Sequence, residues 1–500
     1  MTSSASEPIL VPVLNGEDWT DPGPADFTVT NPATGQAIAR ETGCDSAAVA
    51  KIVESSQTAF QQPSWQKMAP AERGRLLLKL ADLVEQHAEA LVQTELQDTG
   101  KPISQLRGGE LPLTAALIRF YAGAADKVEG SIKSSVPGEV LMQMYEPYGV
   151  VAGILPWNYP LVNAAMKVAP AVATGNAIVL KPAQETPLGT LAFAKLCVEA
   201  GIPPGIVNVV LGSGSTTGQA LVEHPAVRKV SFTGSTAVGQ HIQKTAASRM
   251  TMVNLECGGK NALLVFADAD LDRAAEAALL SGFVNAGQLC VSCSRVLVDA
   301  SIADEFEAKL VELAAKIVMG NPSNEGTLIG PMITDSQYRI AMQYLDEAAS
   351  SECRILCGGS KAAMPAPCEN GYWIQPTVLS GVRPGMKVHD EEIFGPVLST
   401  VRFHNEQEAV AIANSVDYGL SGSVWTKDGS RALRVSKALD TGICWVNTML
   451  TGYPQISLSP HKLSGTGVEL GMEGMLAYLK RKSIVIGIDD DSPVGWGLGG

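Results

Sequence analysis

Basic residues are scarce in this 500-residue sequence, where 37 Lys and Arg stand against 51 Asp and Glu and the formal net charge is −14. Nucleic-acid binding relies on clustered Lys and Arg that displace counterions from phosphates, so this composition argues against a nucleic-acid partner. The basic stretch at 479–482 is short. We interpret it as the C-terminus of a helix, where the helix dipole favours positive charge.

Long apolar runs are also missing. None reaches the length of about 20 residues that a membrane-spanning helix needs, and the start, MTSSASEPILVPVL, lacks the basic region and apolar core of a signal peptide. We therefore expect a cytoplasmic protein without a membrane partner, with an organelle address as the alternative. The nine cysteines are too sparse for a disulfide scaffold. The six histidines show no close ligand spacing, so no metal site is predicted.

The order of apolar segments predicts an α/β fold. The chain is longer than one hydrophobic core comfortably supports, so two or more domains are expected. Residues 70–127 carry apolar residues at helical spacing. Between 149 and 256, short apolar strands alternate with helices, and this alternation resumes from 262 to about 445. Such a pattern indicates parallel sheets that are covered by helices on both faces.

Two cysteines, Cys290 and Cys293, stand three positions apart in NAGQLCVSCSR. The spacing is compatible with a zinc half-site, a redox dithiol, or one nucleophile beside an inert thiol. The other close pair, Cys353 and Cys357, is spaced unusually for zinc, and a dithiol oxidoreductase would be a much smaller protein. We favour Cys290 as a nucleophile, because the small Gly287 leaves room beside it. A nucleophilic thiol needs electropositive surroundings or a helix N-terminus.

If a helix begins at Cys290, Cys293 lies on the same helical face. The second thiol is then either a small core residue or a group that traps an oxidised Cys290 as a disulfide.

Polar residues follow several of the predicted strands, where open α/β sheets bind their ligands. Glu256 ends a strand in LECGGK, and a carboxylate there acts as a general base if burial raises its pKa. Asn158 in LPWNYP is placed to donate to a developing oxyanion. Lys181 in KPAQETPLG is placed to hold a ribose or a phosphate. The ordinary alternatives are a solvent-facing Glu, a turn residue and a strand-end Lys.

Two further segments suit a nucleotide. In FTGSTAVG, Gly234 permits a tight turn and Ser235 can cap the next helix, whose free N–H groups could bind a pyrophosphate. This segment lacks the G-x-G-x-x-G fingerprint, and strand-to-helix junctions use Gly and Ser in any case. In HDEEIFGPV, Glu392 could accept ribose hydroxyls and Phe394 could pack on a planar cofactor. The alternative is an acidic loop with a core Phe.

Together, seven segments resemble the motifs of the aldehyde dehydrogenase superfamily and occur in that family's order: PWNYP, KPAQETPL, FTGSTAVG, LECGGK, GQLC, EEIFGPV and ICWVN. The resemblance spans about residues 15 to 488. It implies a Rossmann-like NAD(P)-binding domain in 1–124 and 148–258, and an α/β catalytic domain in 259–460. A small β oligomerisation arm would combine 125–147 with the C-terminal segment 461–500. A homodimer or a homotetramer is expected.

The resemblance implies the oxidation of an aldehyde to a carboxylic acid. Cys290 would attack the aldehyde, and the side chain of Asn158 with the backbone N–H of Cys290 would stabilise the thiohemiacetal oxyanion. Hydride transfer to the nicotinamide would leave a thioester, which a water activated by Glu256 would hydrolyse. Lys167 and Glu469 match a pair that, in some members, conducts the proton outward.

The implied cofactor is NAD. Its contacts would be Lys181 and Glu392 for the two riboses, Trp157 and Phe394 for packing, and Gly234 and Ser235 for the pyrophosphate. The family usually has Glu where this chain has Gln184, a position that accepts the adenosine ribose 2'-hydroxyl and repels a 2'-phosphate. A neutral Gln removes that repulsion, so NADP is the alternative cofactor.

The segments ICWVN and NYP resemble betaine aldehyde and aminoaldehyde dehydrogenases, which hold a quaternary ammonium in an aromatic box. Tyr159 matches one wall, Met166 stands where Trp is usual, and Tyr453 is placed to supply another ring. We predict betaine aldehyde as the substrate, with an ω-aminoaldehyde or a general aliphatic aldehyde as alternatives. Glu256 argues against a CoA-acylating enzyme, and the presence of Cys290 argues against a non-catalytic protein of this fold.

Overall fold

A computed structural model describes residues 7–20, 25–133 and 137–489. The outermost parts of the predicted domains, residues 1–6 and 490–500, lie outside these ranges. The strands are β1 Ile9–Leu10, β2 Val13–Leu14, β3 Glu17–Asp18, β4 Ala25–Asn31, β5 Gln36–Gly43, β6 Ser131–Lys133, β7 Glu139–Pro147, β8 Val150–Ile154, β9 Ala177–Lys181, β10 Val207–Val209, β11 Val227–Thr233, β12 Met252–Glu256, β13 Ala262–Val265, β14 Arg295–Asp299, β15 Arg354–Cys357, β16 Thr377–Ser380, β17 Val397–Phe403, β18 Tyr418–Gly419, β19 Ser421–Trp425, β20 Ile443–Val446, β21 His461–Lys462, β22 Gly465–Thr466 and β23 Leu479–Gly487.

The helices include the predicted group over 70–127 and those that alternate with the strands. They are α1 Ser46–Gln61, α2 Pro63–Gln66, α3 Pro70–Gln86, α4 Ala88–Thr99, α5 Ile103–Gln105, α6 Leu111–Ala124, α7 Pro160–Ala173, α8 Leu188–Glu199, α9 Gln219–Glu223, α10 Thr236–Ala247, α11 Leu271–Phe283, α12 Ala303–Ala314, α13 Asp335–Ala349, α14 Lys387–Asp390, α15 Glu406–Asn414, α16 Gly429–Ala438 and α17 Gly471–Leu476. Two π-helical turns, Leu106–Glu110 and Gly214–Gly218, precede α6 and α9.

The first large sheet has the strand order β22-β12-β11-β8-β9-β10-β2-β3, and its central five strands are parallel. Alternate residues of these strands enter different cores. Val151 and Ile178 pack with α3, α6, α7 and α8, whereas Val150 and Val179 pack with α1, α9 and α10. Side chains alternate between the two faces of a strand, so a continuous apolar run is what a sheet covered on both faces requires. Each such buried side chain contributes about 1.5–3 kcal/mol.

The second large sheet has the order β15-β16-β17-β14-β13-β19-β20 and is parallel except at β15. Its strands and the helices α11 to α13 form a separate apolar core. These two sheets confirm the predicted α/β fold class.

The carboxyl ends of strands in the first large sheet lie next to the amino ends of strands in the second. Ile154 pairs with Lys181, and Thr233 pairs with Glu256, so the carboxyl ends of β8, β9, β11 and β12 lie at one edge of the first sheet. Only a short link separates Glu256 from the start of β13, which brings this edge to the amino ends of the second sheet. The segment with Cys290 leads into β14, and the segment with Glu392 leads into β17, its partner. The sequence candidates therefore converge between the two sheets.

A third sheet, β23-β7-β6, is antiparallel. It contains the basic stretch, so the prediction that this stretch is the C-terminus of a helix was wrong. Residues 479–482 lie in β23 and not at a helix end. Helix α17 ends at Leu476, and the chain then pairs with β7 over nine residues, from Leu479↔Pro147 to Gly487↔Glu139. The positive charges are balanced across the strands, since Lys482 Nζ lies 2.8 Å from Glu146 Oε1.

The described part of the segment 461–500 contributes strands to three different sheets. Within 461–500, β22 pairs with β12 in the first sheet and β21 pairs with β18. No helix in the described ranges is long and apolar enough to cross a membrane. The same ranges contain no group of three or more His, Cys, Asp and Glu side chains suited to a metal ion. All nine cysteines are free thiols.

Candidate active site

The segment before Cys290 reverses the chain through three consecutive left-handed residues. Asn285, Ala286 and Gly287 have φ values of 51°, 54° and 73°. This conformation is unfavourable for residues other than glycine, and it persists only where the surroundings fix it. A Cβ at Gly287 would overlap the backbone carbonyl of Gly395. Glycine is therefore required at position 287, because the backbone of Gly395 passes close to it; the room beside Cys290 stays a prediction.

Amide side chains hold this segment in place. Asn261 Nδ2 donates to the carbonyl oxygens of Cys290 at 2.8 Å and Ser292 at 2.9 Å, and its Oδ1 accepts from the N–H of Ser421 at 2.9 Å. Gln288 Oε1 accepts from the N–H of Ile333 at 2.9 Å. Our sequence analysis missed both residues. The polar Asn after LECGGK was a weak signal for Asn261.

Asn158 reaches the same segment from the first sheet. Its Nδ2 donates to the carbonyl of Gln288 at 3.1 Å, two residues before Cys290. Asn285 Nδ2 donates to the carbonyl of Asn158 at 3.3 Å. Asn158 is almost fully buried. Its amide is thus fixed beside the Cys290 segment, as the oxyanion role requires.

The surroundings of the Cys290 thiol are acidic and not electropositive. Burial raises the pKa of Cys290 to about 12, and the carboxyl groups of Glu392 and Glu256 act in the same direction. No helix begins at Cys290 either. The structure therefore contradicts both sources of thiolate character that the sequence analysis required. In this state the thiol is neutral, and a base has to remove its proton.

Glu256 is suited to be that base. It ends β12, it is 4% exposed, and neither of its carboxyl oxygens has a hydrogen-bond partner among the described residues. Burial raises the pKa of Glu256 well above its usual value, the charge of Glu469 adds to this, and Lys167 opposes it. The alternative of a solvent-facing Glu is wrong.

Lys167 and Glu469 form a buried ion pair, with 2.7 Å between Nζ and Oε1. Two hydroxyls complete it. Lys167 Nζ donates to Thr233 Oγ1 at 2.9 Å, and Ser231 Oγ donates to Glu469 Oε1 at 2.8 Å. Because Thr233 is the register partner of Glu256, the pair lies beside the general-base candidate. Neither hydroxyl was predicted from the sequence, because Ser231 and Thr233 lie within a strand and no local pattern marks them.

The predicted cofactor residues follow the same sheet edge. Lys181 is buried, and its Nζ donates to the carbonyl of Pro182 at 2.9 Å. Ser235 is the N-cap of α10, and its side chain makes no hydrogen bond to that helix. A Cβ at Gly234 would overlap the ring of Phe232, so the turn requires glycine. An open helix N-terminus after such a turn fits a pyrophosphate.

Glu392 and Phe394 come from the segment before β17, and Trp157 follows β8. Glu392 Oε1 accepts from the N–H of Gly259 at 2.9 Å. Burial raises the pKa of Glu392 to about 7, and the N–H of Gly259 opposes that shift. Phe394 has a φ of 54°, and its ring meets that of Trp157 edge-on at 5.3 Å between centroids. The structure thus brings together two rings that were predicted separately to pack on a cofactor.

The comparison with known proteins agrees with this geometry. The model of the aldehyde dehydrogenase family matches residues 19–484. The chain belongs to the aldehyde dehydrogenase family. It is 40% identical to the mitochondrial aldehyde dehydrogenase family 2 member B4 of Arabidopsis thaliana, over 98% of this chain and 92% of that protein. The family assignment made from the motifs is confirmed, and the protein is an enzyme of this family.

Solved structures give the same result. A putative aldehyde dehydrogenase from Burkholderia cenocepacia superimposes with a TM-score of 0.94 at 40% identity, covering 97% of this chain and 99% of the other. A betaine aldehyde dehydrogenase from Staphylococcus aureus, in complex with NAD+, superimposes with a TM-score of 0.94 at 35% identity, covering 97% and 96%. The aldehyde dehydrogenase fold of this chain is therefore confirmed.

The predicted substrate residues of this aldehyde dehydrogenase differ in their exposure. Tyr159 and Met166 are half-buried, whereas Tyr453 is 57% exposed. No ring–ring contact joins Tyr159 to Tyr453 in the described part of the chain. Lys101 Nζ lies 3.7 Å from the centroid of the Tyr159 ring and 2.5 Å from Glu110 Oε1. We did not foresee Lys101, which comes from the distant turn after α4.

Cys293 is fully buried and points into the core of the second sheet. Its N–H donates to Ser281 Oγ at 2.7 Å, and its Sγ lies 3.9 Å from Met449 Sδ. The expectation that Cys290 and Cys293 share a helical face is wrong, because residues 288–294 are not helical. These contacts fit the alternative of a small core residue.

Proposed function

We propose that this aldehyde dehydrogenase oxidises an aldehyde to a carboxylic acid with NAD, through a covalent intermediate on Cys290. One observation carries the proposal. The segment that ends in the Cys290 thiol is bound by the amide of Asn158, and the Cys290 thiol lies within the electrostatic influence of the buried, unpartnered carboxyl of Glu256. Nucleophile, oxyanion donor and base are the three groups that acyl transfer requires.

In the first step Glu256 accepts the proton of the Cys290 thiol. The sulfur attacks the carbonyl carbon, and the new C–S bond places negative charge on the former carbonyl oxygen. The second N–H of the Asn158 amide is placed to bind that oxygen, since the first donates to Gln288. A fixed dipole in a buried site stabilises such charge strongly.

The residues at the sheet edge fit NAD. Lys181 and Glu392 supply a cation and a carboxylate, Ser235 supplies an open helix N-terminus, and Trp157 and Phe394 supply rings. When bound, NAD supplies the hydride acceptor that turns the hemiacetal into a thioester. The NAD complex of the Staphylococcus aureus relative supports this choice of cofactor. The neutral Gln184 keeps NADP as the alternative.

Before the last step Glu256 has to release the thiol proton that it accepted in the first. The ion pair of Lys167 and Glu469, with the hydroxyls of Ser231 and Thr233, provides a chain of groups through which that proton can leave. In the last step the free carboxylate of Glu256 removes a proton from water, and the water oxygen attacks the thioester carbon. The C–S bond then breaks, the acid leaves, and Glu256 returns a proton to the Cys290 sulfur. The high basicity of a buried carboxylate suits this task. A hydrolytic base supports water, and not CoA, as the acceptor of the acyl group.

The geometry favours an uncharged aldehyde as the substrate. The Lys101 side chain, which is paired with Glu110, already occupies one face of the Tyr159 ring, so that this face is not open to a second cation. Tyr453 is largely exposed and does not complete an aromatic enclosure. Betaine aldehyde is the second candidate, because the Staphylococcus aureus relative is named for it.

A panel of steady-state assays tests both the proposed mechanism and the proposed substrate class. Betaine aldehyde, 4-aminobutyraldehyde, 3-aminopropionaldehyde and an aliphatic aldehyde series are each assayed with NAD and NADP, with and without CoA. We expect the uncharged aldehydes to have the highest kcat/KM and to yield free acid without CoA. A preference for betaine aldehyde of more than about tenfold, or 1.4 kcal/mol, overturns the substrate class. Absence of NAD reduction with every aldehyde overturns the mechanism.

We also propose an oligomerisation arm and a homodimeric or homotetrameric assembly. The sheet of β6, β7 and β23 exposes Ile132, Met144 and Val485, and β6 and β23 are its edge strands. Exposed apolar edges are usually covered by a partner, which supports the oligomerisation arm and a homodimer or homotetramer. Light scattering after size-exclusion chromatography tests this. The domain boundaries and the cytoplasmic location remain predictions.

A further inference from the structure

One face of β11 and β12 is polar although it is buried. Side chains alternate between the two faces of a strand, and register partners in parallel strands share a face. Val230, Phe232 and Leu255 therefore point together into an apolar core. The other face carries a polar row, which consists of Lys229, Ser231, Thr233, Asn254 and Glu256. Apart from Thr233, which is partly buried, these residues are at most 4% exposed, and polar side chains are seldom buried together in this way without a function.

The end of the polar row at Glu256 lies in the site described above. Lys167 Nζ donates to Thr233 Oγ1 and, at 3.2 Å, to Ser231 Oγ. Glu469 Oε1 accepts from Lys167 and from Ser231. The side chains of Lys167 and Glu469 are only 0% and 3% exposed. A proton that leaves Glu256 through this pair is therefore still inside the protein, and it needs a further group to reach water.

The polar row continues from Ser231 to Lys229, which lies two residues earlier in β11 and about 7 Å further along the same face. Lys229 Nζ donates to Asn254 Oδ1 at 3.1 Å. Asn254 Nδ2 in turn donates to the carbonyl of Val468 at 2.7 Å, and Val468 directly precedes Glu469. Lys229 is therefore fixed on the face that Glu469 contacts, one step beyond Ser231.

The polar row meets solvent beyond Asn254. Gly467 is exposed and has a φ of 94°, and a Cβ at this position would lie 2.5 Å from Asn254 Oδ1. Only glycine therefore allows the chain to pass so close to the amide that holds Lys229. Met252, the register partner of Lys229, is 51% exposed, so this face of the sheet opens to water at the same level.

The charges that face Lys229 suit proton transfer. Burial lowers the pKa of Lys229 to about 7, the carboxylate of Glu469 opposes this shift, and the charge of Lys167 adds to it. Two phenols also face the amine, those of Tyr148 and Tyr478, whose ring centroids lie 6.0 Å and 5.1 Å from Nζ. A group that gains and loses a proton near neutral pH is well suited to pass protons on.

We propose that Lys229 is the outer member of a proton path that leads from Glu256 to solvent beside Gly467. This inference rests on the proposed function, in which Glu256 releases one proton in each turnover. Lys167 takes that proton while it gives one to the Glu469 carboxylate. Glu469 then passes a proton to the neutral amine of Lys229, and the ammonium so formed releases it to water. One proton leaves in each turnover, and no electrons are transferred.

The first turnover and the steady state of the full-length enzyme are compared with NAD and an aliphatic aldehyde. In Lys229→Met the first acylation uses Glu256 as it is at rest, so the burst of NADH should remain. Every completed turnover needs Glu256 to lose its proton, so the steady-state rate should fall at least about tenfold and the acyl adduct on Cys290 should accumulate. Added imidazole, a small base that can take the proton near Gly467, should raise this rate in the variant and not in the wild type.

Lys229→Arg separates proton transfer from a structural role, and it also serves if Lys229→Met does not fold. The variant keeps the positive charge and the donor to Asn254, but a guanidinium does not release its proton near neutral pH. We expect the same burst and the same slow steady state, whereas a purely structural role would let Lys229→Arg keep the wild-type rate. Asn208→Ala removes another buried amide of the first sheet, which donates to Ser56 Oγ at 2.9 Å, and should keep the wild-type ratio of burst to steady state.

The possible results distinguish the proton path from the proposed function. A folded Lys229→Met or Lys229→Arg with the wild-type steady-state rate overturns the proton path and leaves the proposed function intact. A loss in Lys229→Met that imidazole does not relieve and that is absent in Lys229→Arg shows a structural role for Lys229, and it also overturns the proton path. A wild-type enzyme that forms neither NADH nor an acyl adduct on Cys290 overturns the proposed function itself.

Discussion

The segment that carries Cys290 and the loop that carries Tyr453 differ in how firmly the fold holds them. Residues 285–288 are buried, and amides from Asn158, Asn261 and Gln288 bind their backbone or that of Cys290. Tyr453 stands in solvent in a loop secured chiefly by backbone contacts, such as the N–H of Gly471 donating to Pro454 at 2.8 Å. The proposed nucleophile and its partners are therefore held at the junction of the two sheets, while Tyr453, a predicted substrate residue, lies on a surface loop that can vary without disturbing them.

The largest effect is expected at the nucleophile. Cys290→Ala should lower kcat/KM by at least about 1,000-fold, because no covalent intermediate can form. Cys293→Ala is the matched control three residues away. It deletes a buried thiol that packs on Met449, and should keep kcat within about threefold while lowering the free energy of unfolding by about 1 kcal/mol. Equal losses in the two variants would contradict the assignment of Cys290.

The next largest effect is expected at the oxyanion donor. Asn158→Ala should lower kcat by about 100- to 1,000-fold with a smaller change in KM, since the amide binds charge that appears only during reaction. The control is Asn163→Ala, whose Nδ2 donates to the carbonyl of Tyr159 at 2.9 Å within the first turn of α7. Steady-state kinetics on both variants check this. A loss confined to KM would show that Asn158 only binds substrate.

A moderate effect on stability is expected from replacing the buried Glu95. Its Oε1 accepts a hydrogen bond from the N–H of Leu161 at 2.7 Å, near the start of α7. Burial raises the pKa of Glu95 from 4.5 to about 8, and the charge of Glu110 adds to this shift. A raised folded-state pKa contributes stability that is complete below about pH 4.5 and is lost as the pH rises through about 8. In Glu95→Gln, the free energy of unfolding should fall by about 1 kcal/mol less than in the wild type over this pH range.

Urea unfolding near pH 5 and pH 8.5 measures the effect. The exposed Glu276→Gln is the control and should keep the pH dependence of the wild type. If Glu95→Gln also keeps it, the carboxyl of Glu95 does not carry the titration.

The smallest effect is expected on the exposed loop. Tyr453→Ala should change kcat/KM for an aliphatic aldehyde by less than about threefold, because most of the side chain is already in water. The same variant assayed with betaine aldehyde sharpens the contrast between the two segments. A selective loss of about tenfold or more with the cationic substrate would place Tyr453 in an aromatic box after all.

The sequence predicted those parts of the molecule that depend on local patterns. The parallel sheets followed from apolar runs such as 176–182, and Glu256, Asn158 and Lys181 were found because chemistry in open α/β sheets gathers at strand ends. The groups that were missed are partners from distant segments. Asn261, Ser231 and Lys101 matter through contacts with other segments of the chain, and such contacts leave no periodic pattern in the sequence.

The misinterpretations have a related physical cause. The stretch at 479–482 was assigned to a helix end from its charge alone, whereas its pairing with β7 across more than 330 residues determines its conformation. The helical face attributed to Cys293 depended on a backbone conformation that residues 288–294 do not adopt. Three left-handed residues in a row cannot be predicted from NAGQ, because contacts with distant residues such as Gly395 accompany them.

The proposed roles of Cys290 as nucleophile and Glu256 as general base are tested most directly by rapid-quench mass spectrometry of Glu256→Gln. The variant is mixed with NAD and an aliphatic aldehyde, and the peptide that contains Cys290 is weighed. Because Glu256 removes the thiol proton in the first step and activates water in the last, its loss should slow both acylation and hydrolysis. We therefore expect no burst of NADH, slow turnover, and a Cys290 peptide that stays largely unmodified. An unmodified Cys290 peptide together with continued turnover at the wild-type rate would contradict the proposed mechanism.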